Sequence, residues 1–96
     1  MIRSFGDKCT EALFHGRATR EVQRLDAGLI KATVRKLDML AAADRVHDLQ
    51  ASPGNRLEAL HGDWTGWFSI RVNDQWRLVF RWVDGSATDV KLMDYH

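Results

Sequence analysis

Ninety-six residues with a formal net charge of +1 exclude a polycationic coat and leave room for one domain, 1–96, built as two packed layers. A lone cysteine, Cys9, forms no internal disulfide and fits a reducing compartment. No apolar run is long enough to span a bilayer, and the opening MIRSFGDKC lacks a signal-peptide core, so a cytoplasmic protein with no membrane partner is expected. Any anion site must come from charge gathered on one face; arginine outnumbers lysine, and guanidinium suits bidentate phosphate recognition.

Met1 to Phe5 reads as a short strand. Asp7 can cap a helix running to about Phe14, ended by His15 and Gly16. From Thr19 to Ala43 the spacing predicts helix, with a break near Asp26 to Gly28. Leu29, Ile30, Thr33, Val34, Leu37, Leu40 and Ala41 recur at helical intervals, which leaves Lys31, Arg35, Lys36 and Asp38 for the opposite side. Val46 and Leu49 anchor a short helical or irregular link, and Ser52-Pro53-Gly54-Asn55 is a turn by composition.

After Arg56 the period changes to two. Leu57 to Gly62, Trp67 to Val72, Trp76 to Val83 and Ala87 to Met93 read as strands, with a hairpin turn at Asp84-Gly85-Ser86. The predicted fold class is α+β: a small antiparallel sheet, mixed at most, with the N-terminal helices packed on one face.

All four tryptophans lie between Leu60 and Trp82. Phe68, Ile70 and Val72 share one side of their strand; Trp76, Leu78, Phe80 and Trp82 share one side of the next. Residues directly opposite in an antiparallel pair point to the same face. Both sets reach one core only if Val72 pairs with Trp76, which leaves a three-residue connection, Asn73-Asp74-Gln75. That register puts Trp67, Ser69 and Arg71 beside Arg77, Val79 and Arg81 on the outer face. Such a face can be plain solvated surface, or a phosphate platform with Trp67 stacking on a base.

His61 follows a strand, and Tyr95 and His96 follow another strand of the same sheet. With Arg77 they offer a base, an acid and a phosphate clamp for RNA cleavage by the adjacent 2′-hydroxyl. That chemistry requires no metal, and the histidines lack the spacing of a metal site, so neither metal nor cofactor is expected.

On its MIRSF opening, its helical middle, the block SPGNRLEALHGDWTGWFSIRVNDQWRLVFRW and the closing DYH, the chain resembles the HigB toxins of the RelE/ParE superfamily of type II toxin–antitoxin systems. The resemblance implies a RelE-like fold and a ribosome-dependent mRNA endoribonuclease acting in the 30S A site. It implies neutralisation by a HigA-type helix-turn-helix antitoxin, which carries the complex to operator DNA. It makes Asp94, Tyr95 and His96 a catalytic group and Arg77 the holder of the scissile phosphate, with Arg71 assisting. Some relatives carry histidine in place of Glu58 and lysine in place of His61, so the general base stays open between Glu58, His61 and His96. Arg56, Glu58, Trp67, Arg71 and Arg81 are candidate RNA contacts, and Lys31, Arg35 and Lys36 candidate ribosomal RNA contacts. Two other readings are an antitoxin-binding corepressor with weak or no catalysis, and a gyrase poison of the ParE kind.

Overall fold

The computed structural model describes residues 1–95; His96 lies outside them. Three α-helices come first: α1 (Lys8–Phe14), α2 (Arg20–Gln23) and α3 (Ala27–Ala42). Each starts on a side-chain cap. Asp7, Thr19 and Asp26 accept from the backbone N–H three residues on, at 2.7, 3.3 and 3.1 Å, so the expected break before Gly28 is a new N-cap at Asp26. Two 3₁₀ turns, Val46–Ala51 and Pro53–Asn55, lead to the sheet.

Among the described residues the sheet has four strands in sequential antiparallel order: β1 (Glu58–Ala59), β2 (Trp67–Arg71), β3 (Trp76–Val83) and β4 (Ser86–Asp94). The β2–β3 register is the expected one: Trp67 faces Arg81, Ser69 faces Val79 and Arg71 faces Arg77. Asn73 closes the three-residue connection by accepting from the N–H groups of Gln75 and Trp76 at 2.9 and 2.8 Å. Ile70, Leu78 and Phe80 are fully buried on the inner face, where Leu37 and Leu40 of α3 meet them. Burying each such side chain contributes about 1.5–3 kcal/mol.

Three expectations need correction. First, β1 is two residues long instead of running from Leu57 to Gly62. Arg56 before it is left-handed (φ 44°), and the chain turns after it through Gly62 (φ 65°) and Gly66 (φ 94°). Second, the Met1 to Phe5 segment is two isolated parallel bridges to β4, Ile2 with Ala87 and Phe5 with Val90. They flank a bulge, because β4 shifts register between its pairings with Val79 and Arg81, and Asp89 there takes φ 54°. Third, Lys36 does not face outward. It lies on the buried stripe of α3 with Leu29, Thr33, Leu37 and Leu40.

The bulge sets the facing of the chain's end. A one-residue slip moves every following side chain to the other face of a sheet. Past Asp89, Val90 and Leu92 point into the core, whereas Lys91 and Met93 lie opposite Val79 and Arg77 on the outer side. Tyr95 follows at the same parity, beside Gln75, whose carbonyl accepts its N–H at 2.6 Å.

Candidate functional site

The outer face of the sheet carries the candidate site, with Arg77 at its centre. Its side chain is only 11% exposed. Nε donates to Ser69 Oγ at 2.9 Å and Nη2 donates to the Arg56 carbonyl at 2.6 Å. The guanidinium lies 5.5 Å from the centre of the Tyr95 ring. Nη1 is then the end turned toward the face, with the Glu58 carboxylate 3.9 Å away. A largely desolvated, doubly held guanidinium is a rigid donor pair, and the low local dielectric strengthens its field. Tyr95 is 44% exposed, so its phenol is open to a ligand. Gln75 ties down the strand end by donating from Nε2 to Asp94 at 3.0 Å.

The other predicted residues are placed as follows. Arg71, directly opposite Arg77, pairs with Asp74, which offsets the like-charge contact. Arg81 is committed to Asp89, with Nε and Nη2 donating to one oxygen at 3.1 and 2.7 Å. Its guanidinium also sits 5.8 Å from the Trp67 ring centre, and Trp64 stands edge-on to Trp67 at 5.1 Å. Arg81 is therefore a prop for the bulge and for Trp67. Lys31 and Arg35 are exposed on the solvent side of α3, on the layer opposite the Arg77 face. His96, expected in the catalytic group, lies outside the described residues.

Glu58 and His61 separate cleanly. Glu58 pairs with Ser69 and shares the Arg77 face. His61 is exposed beyond the Leu60–Trp67 pairing, at the end of the sheet away from Arg77. About three residue positions along β2 separate the two rows, on the order of 10 Å. The fold brings together Arg56, Glu58, Arg77 and Tyr95; Asp94, paired with Trp76, has the opposite facing and meets Gln75 at the strand end, and His61 stands apart.

Ser69, Gln75, Asp89 and Trp64 have roles at or near this face that the sequence reading left unassigned. Gln75 was legible in principle, since hairpin arithmetic plus one bulge puts it opposite Tyr95. Cys9 has no part in the site. Burial first, then Asp7 and Glu21, push its thiol up, which disfavours the nucleophilic thiolate. Among the described residues no group of three histidine, cysteine, aspartate or glutamate side chains is arranged to hold a metal ion.

Comparison with known proteins places the chain in a family. Residues 3–96 match the family model of the HigB-like toxin, described as a RelE-like toxin of the type II toxin–antitoxin system HigB. Toxin HigB-1 of Vibrio cholerae is 41% identical over 92 residues, covering 96% of this chain and 95% of that protein. Endoribonuclease HigB of Proteus vulgaris is 31% identical over 96 residues, covering all of both. In fold, the chain is similar to the YoeB–YefM complex from Staphylococcus aureus (TM-score 0.63, 17% identity, covering 100% of this chain and 98% of that one). A YafQ mutant from E. coli is similar too, with TM-score 0.61, 13% identity and coverage of 99% and 94%. The chain belongs to the HigB-like family of RelE-like toxins of type II toxin–antitoxin systems.

Proposed function

We propose that the protein is an endoribonuclease that cuts mRNA in the ribosomal A site and so arrests translation, with Arg77 holding the scissile phosphate. The observation that carries this reading is the Arg77 guanidinium, gripped by Ser69 and the Arg56 carbonyl, presented between a carboxylate and a phenol on one open sheet face. A carboxylate, a fixed cation and a hydroxyl in one place suit proton removal, charge stabilisation and proton donation.

In this mechanism the 2′-hydroxyl oxygen attacks the adjacent phosphorus. Glu58, the candidate base beside Arg77, takes the 2′-OH proton. Arg77 Nη1 stabilises the phosphorane oxygens. The bond to the 5′ oxygen then breaks, and Tyr95 or His96 next to it supplies the leaving oxygen with a proton. The products are a 2′,3′-cyclic phosphate and a 5′-hydroxyl end. Of the two base candidates among the described residues Glu58 is preferred because it stands by Arg77, whereas His61 lies farther along the sheet.

The remaining partners follow from the same reading. Restraint of the toxin falls to a HigA-type helix-turn-helix antitoxin, through which the complex reaches operator DNA, and the site of action is the cytoplasm. Ribosome dependence is expected because nothing among the described residues of this face is arranged to splay free RNA; the A site would supply that geometry. No helix is long and apolar enough to cross a membrane among the described residues.

The test is primer extension on mRNA from a translating extract given the purified protein. Codon-phased cuts are expected, reduced about 10²–10³-fold in kcat by Arg77→Ala, the usual cost of removing one preorganised donor to a developing anion. Intact mRNA together with a DNA damage response in expressing cells would favour a gyrase poison. Intact mRNA without growth arrest would favour an antitoxin-binding corepressor.

A further inference from the structure

Lys36 and Asn55 form a buried pair that the cleavage chemistry does not use. Lys36 is 6% exposed and Asn55 1%. Lys36 Nζ donates to Asn55 Oδ1 at 2.6 Å, and Asn55 Nδ2 donates to the Leu49 carbonyl at 3.0 Å. The Asn55 N–H closes its own turn on the Ser52 carbonyl at 3.0 Å. The turn before β1 is thus tied to α3 on one side and to the preceding 3₁₀ segment on the other. Burying an ammonium and an amide costs free energy unless both are hydrogen-bonded, and here the Asn55 oxygen takes one ammonium donor while the Leu49 carbonyl takes the amide N–H.

The next residue gives the pair its reach. Arg56 is left-handed (φ 44°, ψ 56°), a conformation a non-glycine residue holds only when its surroundings impose it. Its own side chain is exposed and anchors little. Yet its carbonyl takes the 2.6 Å bond from Arg77 Nη2. With Nε on Ser69, that bond decides where Nη1 points. The path from helix to guanidinium runs Lys36, Asn55, the Arg56 carbonyl, Arg77, with a hydrogen bond or one peptide link at every step.

We infer that the Lys36–Asn55 pair is a positioning device for Arg77: it fixes the left-handed Arg56 carbonyl and so aims Nη1 at the scissile phosphate. The inference rests on the reading of Arg77 as the phosphate-holding residue. Lys36 and Asn55 touch no RNA; they act through Arg77.

The experiment is a double-mutant cycle on ribosomes programmed with mRNA, using the full chain below its unfolding transition. Asn55→Ala is compared in two backgrounds, the parent and Arg77→Lys. Lysine keeps the charge but cannot make both holds. In the parent, Asn55→Ala should lower kcat about 10–100-fold with KM little changed, the scale expected of a small misplacement of a reacting group. In the Arg77→Lys background the same change should alter kcat less than about twofold, because the group it aims is already gone. Equal losses in both backgrounds would overturn the inference, since a general packing role is additive. So would an unchanged kcat in the parent. If Asn55→Ala does not fold, Lys36→Met carries the same test, because it leaves the Asn55 bond to Leu49 in place. Should Arg77→Lys cut at the parent rate, the reading of Arg77 itself fails and the positioning role with it. An impaired Arg77→Lys with additive losses removes the positioning role alone.

Discussion

Lys36 shows how one residue escapes a pattern. Its place at the intervals of Leu29, Thr33 and Leu40 puts it on the buried stripe, but its charge argues for the outside. Its ammonium is nevertheless buried on Asn55, and burial first, then Arg35 and Arg71, pull its pKa below a free lysine's 10.5. In the folded state the amine loses its proton at a lower pH than in the unfolded chain. Below the folded value both states are charged and the fold bears the whole penalty; as pH rises toward 10.5 the penalty is relieved. The stability of the parent relative to Lys36→Met should therefore rise with pH through that window. Urea unfolding of both proteins from pH 7 to 10.5 measures it, and a flat or falling difference would contradict the account.

Tyr95 is the second residue whose role is separable. Its ring faces Arg77, so Tyr95→Phe keeps that contact and removes only the hydroxyl. If the hydroxyl protonates the leaving oxygen, kcat falls about 10²–10⁴-fold with substrate binding preserved. A parent-like kcat in Tyr95→Phe would move that step to His96.

Among the elements, β4 matters most, because its bulge decides which face Tyr95 occupies. Asp89 holds that bulge. Its backbone is left-handed, its N–H donates to Ser4 Oγ at 2.9 Å, and its carboxylate takes the Arg81 pair. Asp89→Ala keeps the strained backbone and its N–H bond to Ser4 but loses the carboxylate's bonds from Arg81 and from Ser4 Oγ, so it should destabilise the fold by about 1–3 kcal/mol. Asp89→Gly, which relieves the strain, should recover part of that in the same thermal or urea titration. A larger loss in the glycine variant would speak against backbone strain at this position.

The hairpin of β2 and β3 was fully legible, because its two apolar sets can share a core in only one register. The caps at Asp7, Thr19 and Asp26 were legible too, at least as helix starts or breaks. The bulge left a signal that went unread: Ala87, Val90 and Leu92 are all buried, and their spacing breaks period two. The partners of Arg71 and Arg81 were not legible, because Asp74 sits in a connection and Asp89 at an irregularity. Three arginines on a face therefore looked free, whereas among the described residues each has a carboxylate within 4 Å. The isolation of His61 follows from the brevity of β1, which glycines and a left-handed arginine impose and composition alone did not reveal.

At the scale of the molecule, the cations fall on two layers. Arg56, Arg71 and Arg77 line the sheet face, and Lys31 and Arg35 stand on the solvent side of α3. In the proposed function one surface would serve the scissile strand, and the other would be open to ribosomal RNA. Reversing both helix charges, with Lys31→Glu and Arg35→Glu together, should weaken ribosome binding and flatten its dependence on salt, while the thermal midpoint stays within about 2 °C. Pelleting with ribosomes across a salt series reads this directly. Unchanged binding would assign those cations to plain solvated surface.

The central claim is that the Arg77 face cuts RNA by 2′-hydroxyl attack. The most direct measurement uses ribosomes programmed with an mRNA carrying one 2′-deoxy nucleotide 5′ to the scissile phosphate. The account predicts that cleavage there disappears, and that the all-ribose control yields a 2′,3′-cyclic phosphate and a 5′-hydroxyl end. Cutting of the deoxy substrate at the control rate would contradict it.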